Sequence, residues 1–183
     1  KEVWLYRVLH GRSIVLTDDI NERTTTMTSG ADVANAIVAL IGKTEALGQV
    51  FHITAPRSCV WKDVLKIYLE IIEAHIGAKP RVVMTNTAEF LRCQPSKYQV
   101  MYDRKYDRIF NNSKISRFVD IGMFTNIETG LGAALESFFQ KPIFKGIHWK
   151  CEGVRDCIAG DATPLSEIRG FKNKICYIAG RYT

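Results

Sequence analysis

The sequence has no glycine-rich phosphate loop. Neither GxGxxG, GxxGxxG nor GxxxxGK[ST] occurs in its 183 residues. Its one close glycine pair, Gly130-x-Gly132, falls inside a helical pattern. The chain by itself therefore lacks the usual clamp for a dinucleotide pyrophosphate. It also lacks CxxC. The cysteines Cys59, Cys93, Cys151, Cys157 and Cys176 are odd in number, which argues against a closed disulfide framework and for a reducing, cytoplasmic setting. Cys151 and Cys157 have only His148 nearby, too thin a set for a metal, so none is expected. No apolar run approaches the roughly 20 residues of a membrane span, and no membrane partner is expected. Arginine-rich tracts and interleaved stacking aromatics are missing too, which makes nucleic acid the least favoured partner.

What is present suits one globular domain. Hydrophobic residues make up 46% and charged residues 24%, enough to bury a core without staples. The formal net charge is +6, and residues 145–183 contribute seven basic against four acidic side chains. A few basic groups suit a phosphate-bearing small molecule; a solvated, slightly basic surface is the plainer reading. The chain opens Lys1-Glu2-Val3-Trp4 with neither Met nor a signal-peptide pattern, and reads as entered in mid-protein.

Periodicity predicts a mixed α/β order. Residues 1–10 read as a helix stopped by Gly11, then a strand over 12–16 and a polar surface loop over 17–30 containing Thr24, Thr25 and Thr26. A helix over 32–41 follows, capped by Asp32, with Val33, Ala34, Ile37, Val38 and Ile41 as its buried stripe. Alternation predicts a strand over 49–54. A long amphipathic helix over 61–76 points Trp61, Val64, Leu65, Tyr68, Ile71, Ile72 and His75 at the core and ends at Gly77. A strand over 81–85 and helices over 87–92, 114–118 and 125–139 complete the body. The segment 143–183 reads as a loop-rich basic tail of unassigned role, with short strands at 147–150 and 175–178.

Ser29-Gly30-Ala31-Asp32-Val33-Ala34-Asn35-Ala36 resembles the segment that follows the catalytic tyrosine and lysine in extended short-chain dehydrogenase/reductases, the NAD-dependent nucleotide-sugar epimerases and dehydratases. Arg12 to Leu16, Gly48 to Ile53, the Trp61 helix, and Tyr102-Asp103-Arg104 through Asn112-Ser113-Lys114 follow in the order of that family. The resemblance spans residues 1–142. It implies an α/β fold: the C-terminal mixed α/β substrate-binding portion of an extended Rossmann-type enzyme, without the N-terminal dinucleotide-binding half. The family's Tyr-x-x-x-Lys pair does not occur here: Tyr68, Tyr98 and Tyr102 are followed four residues later by Ile72, Tyr102 and Tyr106. The resemblance thus implies that NAD or NADP, and catalysis, belong to a full-length parent, with no cofactor held by this fragment alone.

The implied partners are a nucleotide-diphosphate sugar and the missing Rossmann half, with a homodimer compatible. Arg104 and Arg108, four apart, would share a helix face and grip a diphosphate with forked guanidinium groups. Their alternative is pairing with Asp103 and Asp107. Lys114 and Asn112 offer a cation and an amide to phosphate or sugar hydroxyls, against a capping turn and a solvated lysine. Arg12, before a strand, is a further contact for base or phosphate. Gln94 and Gln99 flank a substrate loop that nothing in the sequence places. Two other readings stand beside this one: a non-catalytic interaction or regulatory module derived from the same lobe, and a nucleic-acid-binding domain.

Overall fold

A computed structural model describes residues 2–144 and 146–182. Helix α1 (Glu2–Leu9) is buried around most of its second turn, from Leu5 to Val8. Gly11, at φ 69°, reverses the chain, and left-handed backbone of this kind is where glycine costs least. The chain then enters β1 (Ile14–Thr17). All four β1 side chains are buried, as expected of a strand covered on both faces. β1 is followed by α2 (Asp18–Asn21), β2 (Thr24–Thr25), α3 (Gly30–Leu40), β3 (Cys59–Val60), α4 (Trp61–Ile76), β4 (Val82–Thr85), α5 (Thr87–Arg92), α6 (Lys97–Gln99), α7 (Ile127–Gln140), α8 (Trp149–Ala159) and α9 (Phe171–Arg181). β1 pairs parallel with β4, Ile14 opposite Val82 and Thr17 opposite Thr85. β2 pairs antiparallel with β3. The described architecture is mixed α/β with two small sheets.

Helix α4 has the bounds its pattern predicts. Trp61, Val64, Leu65, Tyr68 and Ile72 are buried at helical spacing, and Gly77 closes it at φ 73°. These residues join Leu131 and Leu135 of α7 and the side chains of β1 in one core. His75 departs from expectation. It is exposed, and its ring stacks on Phe139 at 3.8 Å between centroids.

Four other expectations are corrected. The segment 17–30 is not a surface loop: it holds α2 and β2, and Thr17, Ile20 and Thr25 are buried. Helix α3 forms, but only Ala36 is buried, and Ile37, Val38 and Ile41 face outward. Ser29 is its N-cap; Asp32 instead accepts hydrogen bonds from Thr125 N (2.8 Å) and Thr125 Oγ1 (3.2 Å), pinning α3 to the turn before α7. Residues 49–54 alternate but pair with no strand among the described residues.

The fourth correction concerns 143–183, whose described part is chiefly helical. Residues expected as strands begin α8 and lie inside α9. The two helices cross with backbone in contact: a Cβ on Gly180 would lie 2.0 Å from Lys150 O, and one on Gly153 would lie 2.2 Å from Tyr177 O. The buried side of α8 is ionic. Arg7 of α1, itself fully buried, donates to Glu152 (2.8 Å), Asp156 (2.9 Å) and Asp161 (3.1 Å). Asp156 also accepts from Thr163 Oγ1 and Tyr177 OH, each at 2.7 Å. Charges buried this deeply persist only when paired and hydrogen-bonded.

Candidate anion-binding pocket

A cavity of about 150 Å³ opens beside β1. Trp4 and Arg7 of α1, Leu16 of β1, Trp61 at the head of α4 and Phe90 of α5 form its inner wall. Gln94, Ser96, Gln99 and Arg104 line it from the segment leading through α6, and Arg155 reaches it from α8. The chain beyond α6 widens into a π-helical turn over Val100–Arg104.

The three arginines differ in what holds them. Arg7 has its three carboxylates. Arg155 hydrogen-bonds Glu152 and the Cys93 carbonyl. Arg104 donates to the neutral Gln99 Oε1 at 3.1 Å and makes no ion pair among the described residues. Burial pushes the Arg104 guanidinium below its ordinary value, the nearby Arg108 charge pushes the same way, and the Asp103 charge opposes them less strongly. A half-buried cation held down by desolvation and a like charge is stabilised by any anion brought beside it.

The other predicted residues are engaged by the protein. The π-turn ends at Arg104, so Arg104 and Arg108 do not share a regular helix face. Arg108 grips Asp103 through Nη1 (3.1 and 3.0 Å), donates to Thr25 Oγ1 and lies over the Trp61 ring. Asp107 accepts from Thr24 N at 2.7 Å. Asn112 is buried. It accepts from Thr54 Oγ1 and donates to the carbonyls of Thr54 and Ala55, which holds the unpaired 49–54 segment in place. Lys114 donates to Val50 O at 3.0 Å and lies over the Phe51 ring. Arg12 is buried, bonded to Thr163 and Glu167 and packed over Tyr6. Of the five, Arg104 lines the cavity.

Gln94 and Gln99, which the sequence flagged without placing, both line it. Arg155, Arg7 and the aromatic wall are additions of the fold. They come from distant segments, and no local pattern marks them. The volume suits one charged group, such as a phosphate or carboxylate, well below the 300 Å³ or so at which whole-ligand pockets begin. Gly130 and Gly132 lie inside α7 and form no glycine-rich turn there. Cys151 is buried on α8 and Cys157 is exposed, and no metal-binding cluster of His, Cys, Asp or Glu occurs among the described residues. No helix among the described residues is long and apolar enough to cross a membrane. Comparison with protein-family models, with curated proteins and with solved structures finds no match to this chain.

Proposed function

We propose that the chain is the nucleotide-sugar-binding portion of an NAD(P)-dependent epimerase or dehydratase. In this reading the dinucleotide and the acid/base pair come from an N-terminal Rossmann half. Arg104 carries the reading: it is a half-buried guanidinium that makes no ion pair among the described residues, lining a cavity sized for one anionic group. It meets one phosphate of the diphosphate, with Gln94 and Gln99 offering hydrogen bonds beside it. Arg108 packs over the cavity-lining Trp61; Asn112, Lys114 and Arg12 hold other segments of the chain.

The outward face of α3 supports the same reading. Ile37, Val38 and Ile41, followed by Leu47 and Val50, expose apolar surface of the kind that marks an interaction face. That face is where the Rossmann half docks. An interaction module would expose the same surface, so ligand binding separates the two readings.

The test is calorimetric titration of the chain with UDP-, GDP- and dTDP-sugars and with inorganic pyrophosphate. Binding of at least one is expected, weakened about tenfold or more in Arg104→Ala through loss of a charge-assisted contact of about 1.5–3 kcal/mol. Unchanged affinity in Arg104→Ala, or no binding of any of these ligands, sinks the proposal.

A further inference from the structure

The charges of the C-terminal hairpin are segregated by side. All four of its acidic residues point into the molecule and are paired there: Glu152 and Asp156 with Arg7, Asp161 with Arg7 and Arg81, and Glu167 with Arg12. Lys150, Arg169, Lys172 and Lys174 make no ion pair among the described residues; the first three are exposed and Lys174 is half-exposed. The outer side of the hairpin is therefore basic without an interspersed carboxylate.

An apolar stripe runs through that basic surface. Tyr177 and Gly180 turn inward against α8. On the other side of α9 lie Phe171, Ile175 and Ile178, continued by Tyr182 just past the helix end. Their exposures are 80%, 51%, 41% and 86%. Spacings of four, three and four residues keep them within one narrow stripe. At 100° per residue Lys172 falls on one flank of it and Lys174 on the other; Arg181 is turned inward, donating to Asp161 O and Tyr177 OH.

We infer that α9 is an interfacial helix that lays this stripe into the surface of an anionic lipid bilayer. The pattern is the one such helices use: aromatic and aliphatic groups enter the headgroup boundary while flanking cations stay at phosphate level. A second copy of the chain is disfavoured, because stripe-to-stripe packing would face lysines with lysines and α9 carries no acid to relieve them. Nucleic acid would satisfy the cations but leave Ile175 and Ile178 without an apolar phase. A protein groove would have to be apolar and acidic at once. The inference does not depend on the function proposed above.

Vesicle co-sedimentation tests it, with phosphatidylcholine alone and mixed with phosphatidylglycerol, at low and raised salt. The chain should partition onto the mixed vesicles, weakly onto neutral ones, and less as salt rises. Lys172→Gln with Lys174→Gln should weaken binding about thirtyfold, from about 1 kcal/mol per basic residue at an anionic surface. Ile175→Ser with Ile178→Ser should weaken it comparably; circular dichroism should show both variants folded. A Phe171→Trp variant reads insertion directly, its added emission shifting to the blue on mixed vesicles only. No partition onto mixed vesicles overturns the inference, as does binding unchanged by the isoleucine pair. So do an unshifted emission from the Phe171→Trp variant, and a dimer in sedimentation equilibrium that dissociates when the isoleucines are replaced.

Discussion

Glu167 shows at single-residue scale how the fold uses a charge. Burial would raise its carboxyl, but hydrogen bonds from Arg12 and Tyr6 outweigh that and hold it below its ordinary value. The folded state thus releases this proton more readily than the unfolded chain does. Its contribution to stability is present above the unfolded carboxylate value of about 4.3 and is lost as pH falls through the lowered folded value. Asp161, held down by its Ser13 and arginine contacts against the opposing effect of burial, has the same sign. At the alkaline end, burial pushes Tyr68 up to about 12, so its contribution is full below the unfolded tyrosine value of about 10 and fades above it. The urea midpoint should therefore fall at both extremes of pH, and Glu167→Gln should lower the neutral plateau while flattening the acid limb. A mutant whose acid limb keeps its full slope would count against the Arg12–Glu167 contact. The same scale shows what the sequence could tell of the pocket. It marked Arg104 and Arg108 equally; the π-turn that ends at Arg104 leaves Asp103 hydrogen-bonded to Arg108, while Arg104 makes no ion pair among the described residues, which spacing alone does not encode.

Among the elements, α4 is the most legible, because its buried side is aliphatic and aromatic at helical spacing and Gly77 punctuates its end. Helices α8 and α9 are the least legible, for a physical reason. The inner side of α8 buries Glu152, Arg155 and Asp156 among Cys151, Val154 and Ala159, so its apolar period is interrupted by charge. The apolar period of α9 lies on its outer side. Helix α3 repeats the inversion: its stripe is real, but nothing among the described residues covers it. Segment 49–54 alternates like a strand and is held by Asn112 and Lys114 rather than by a ladder. The contact between α8 and α9 permits a sharp prediction. Replacing a mid-helix glycine by alanine ordinarily stabilises a helix by about 0.5–1 kcal/mol. At Gly180 the new Cβ would meet a backbone oxygen that no side-chain rotation can move aside, so the overlap wins. Gly180→Ala should cost about 3 kcal/mol or more, read as a lowered denaturation midpoint with unchanged slope. A neutral or stabilising effect would refute the close crossing.

On the scale of the whole molecule, the mixed α/β class and most of the body could be read from residues 1–142. The joining of 143–183 to that body could not, because it runs largely through buried polar contacts between residues far apart in the chain, Arg7 and Arg12 with the acids of 152–167 and Arg155 with the Cys93 carbonyl. Arg7 sits near the start of the chain, and its carboxylate partners lie about 150 positions later. Detaching α8 would leave Arg7 buried without Glu152 and Asp156 beside it, an unfavourable state of several kcal/mol. A partly open form with the hairpin released and the body intact is thereby depleted. In hydrogen exchange, the slowest amides of α1 and α8 should share a single opening free energy equal to that of global unfolding, with no separate low-energy opening of the last forty residues or so. Fast exchange confined to α8 would contradict this. Seen through time rather than space, the buried arginine makes the two ends of the chain one kinetic unit: the first helix cannot lose its protection before the hairpin does, nor outlast it.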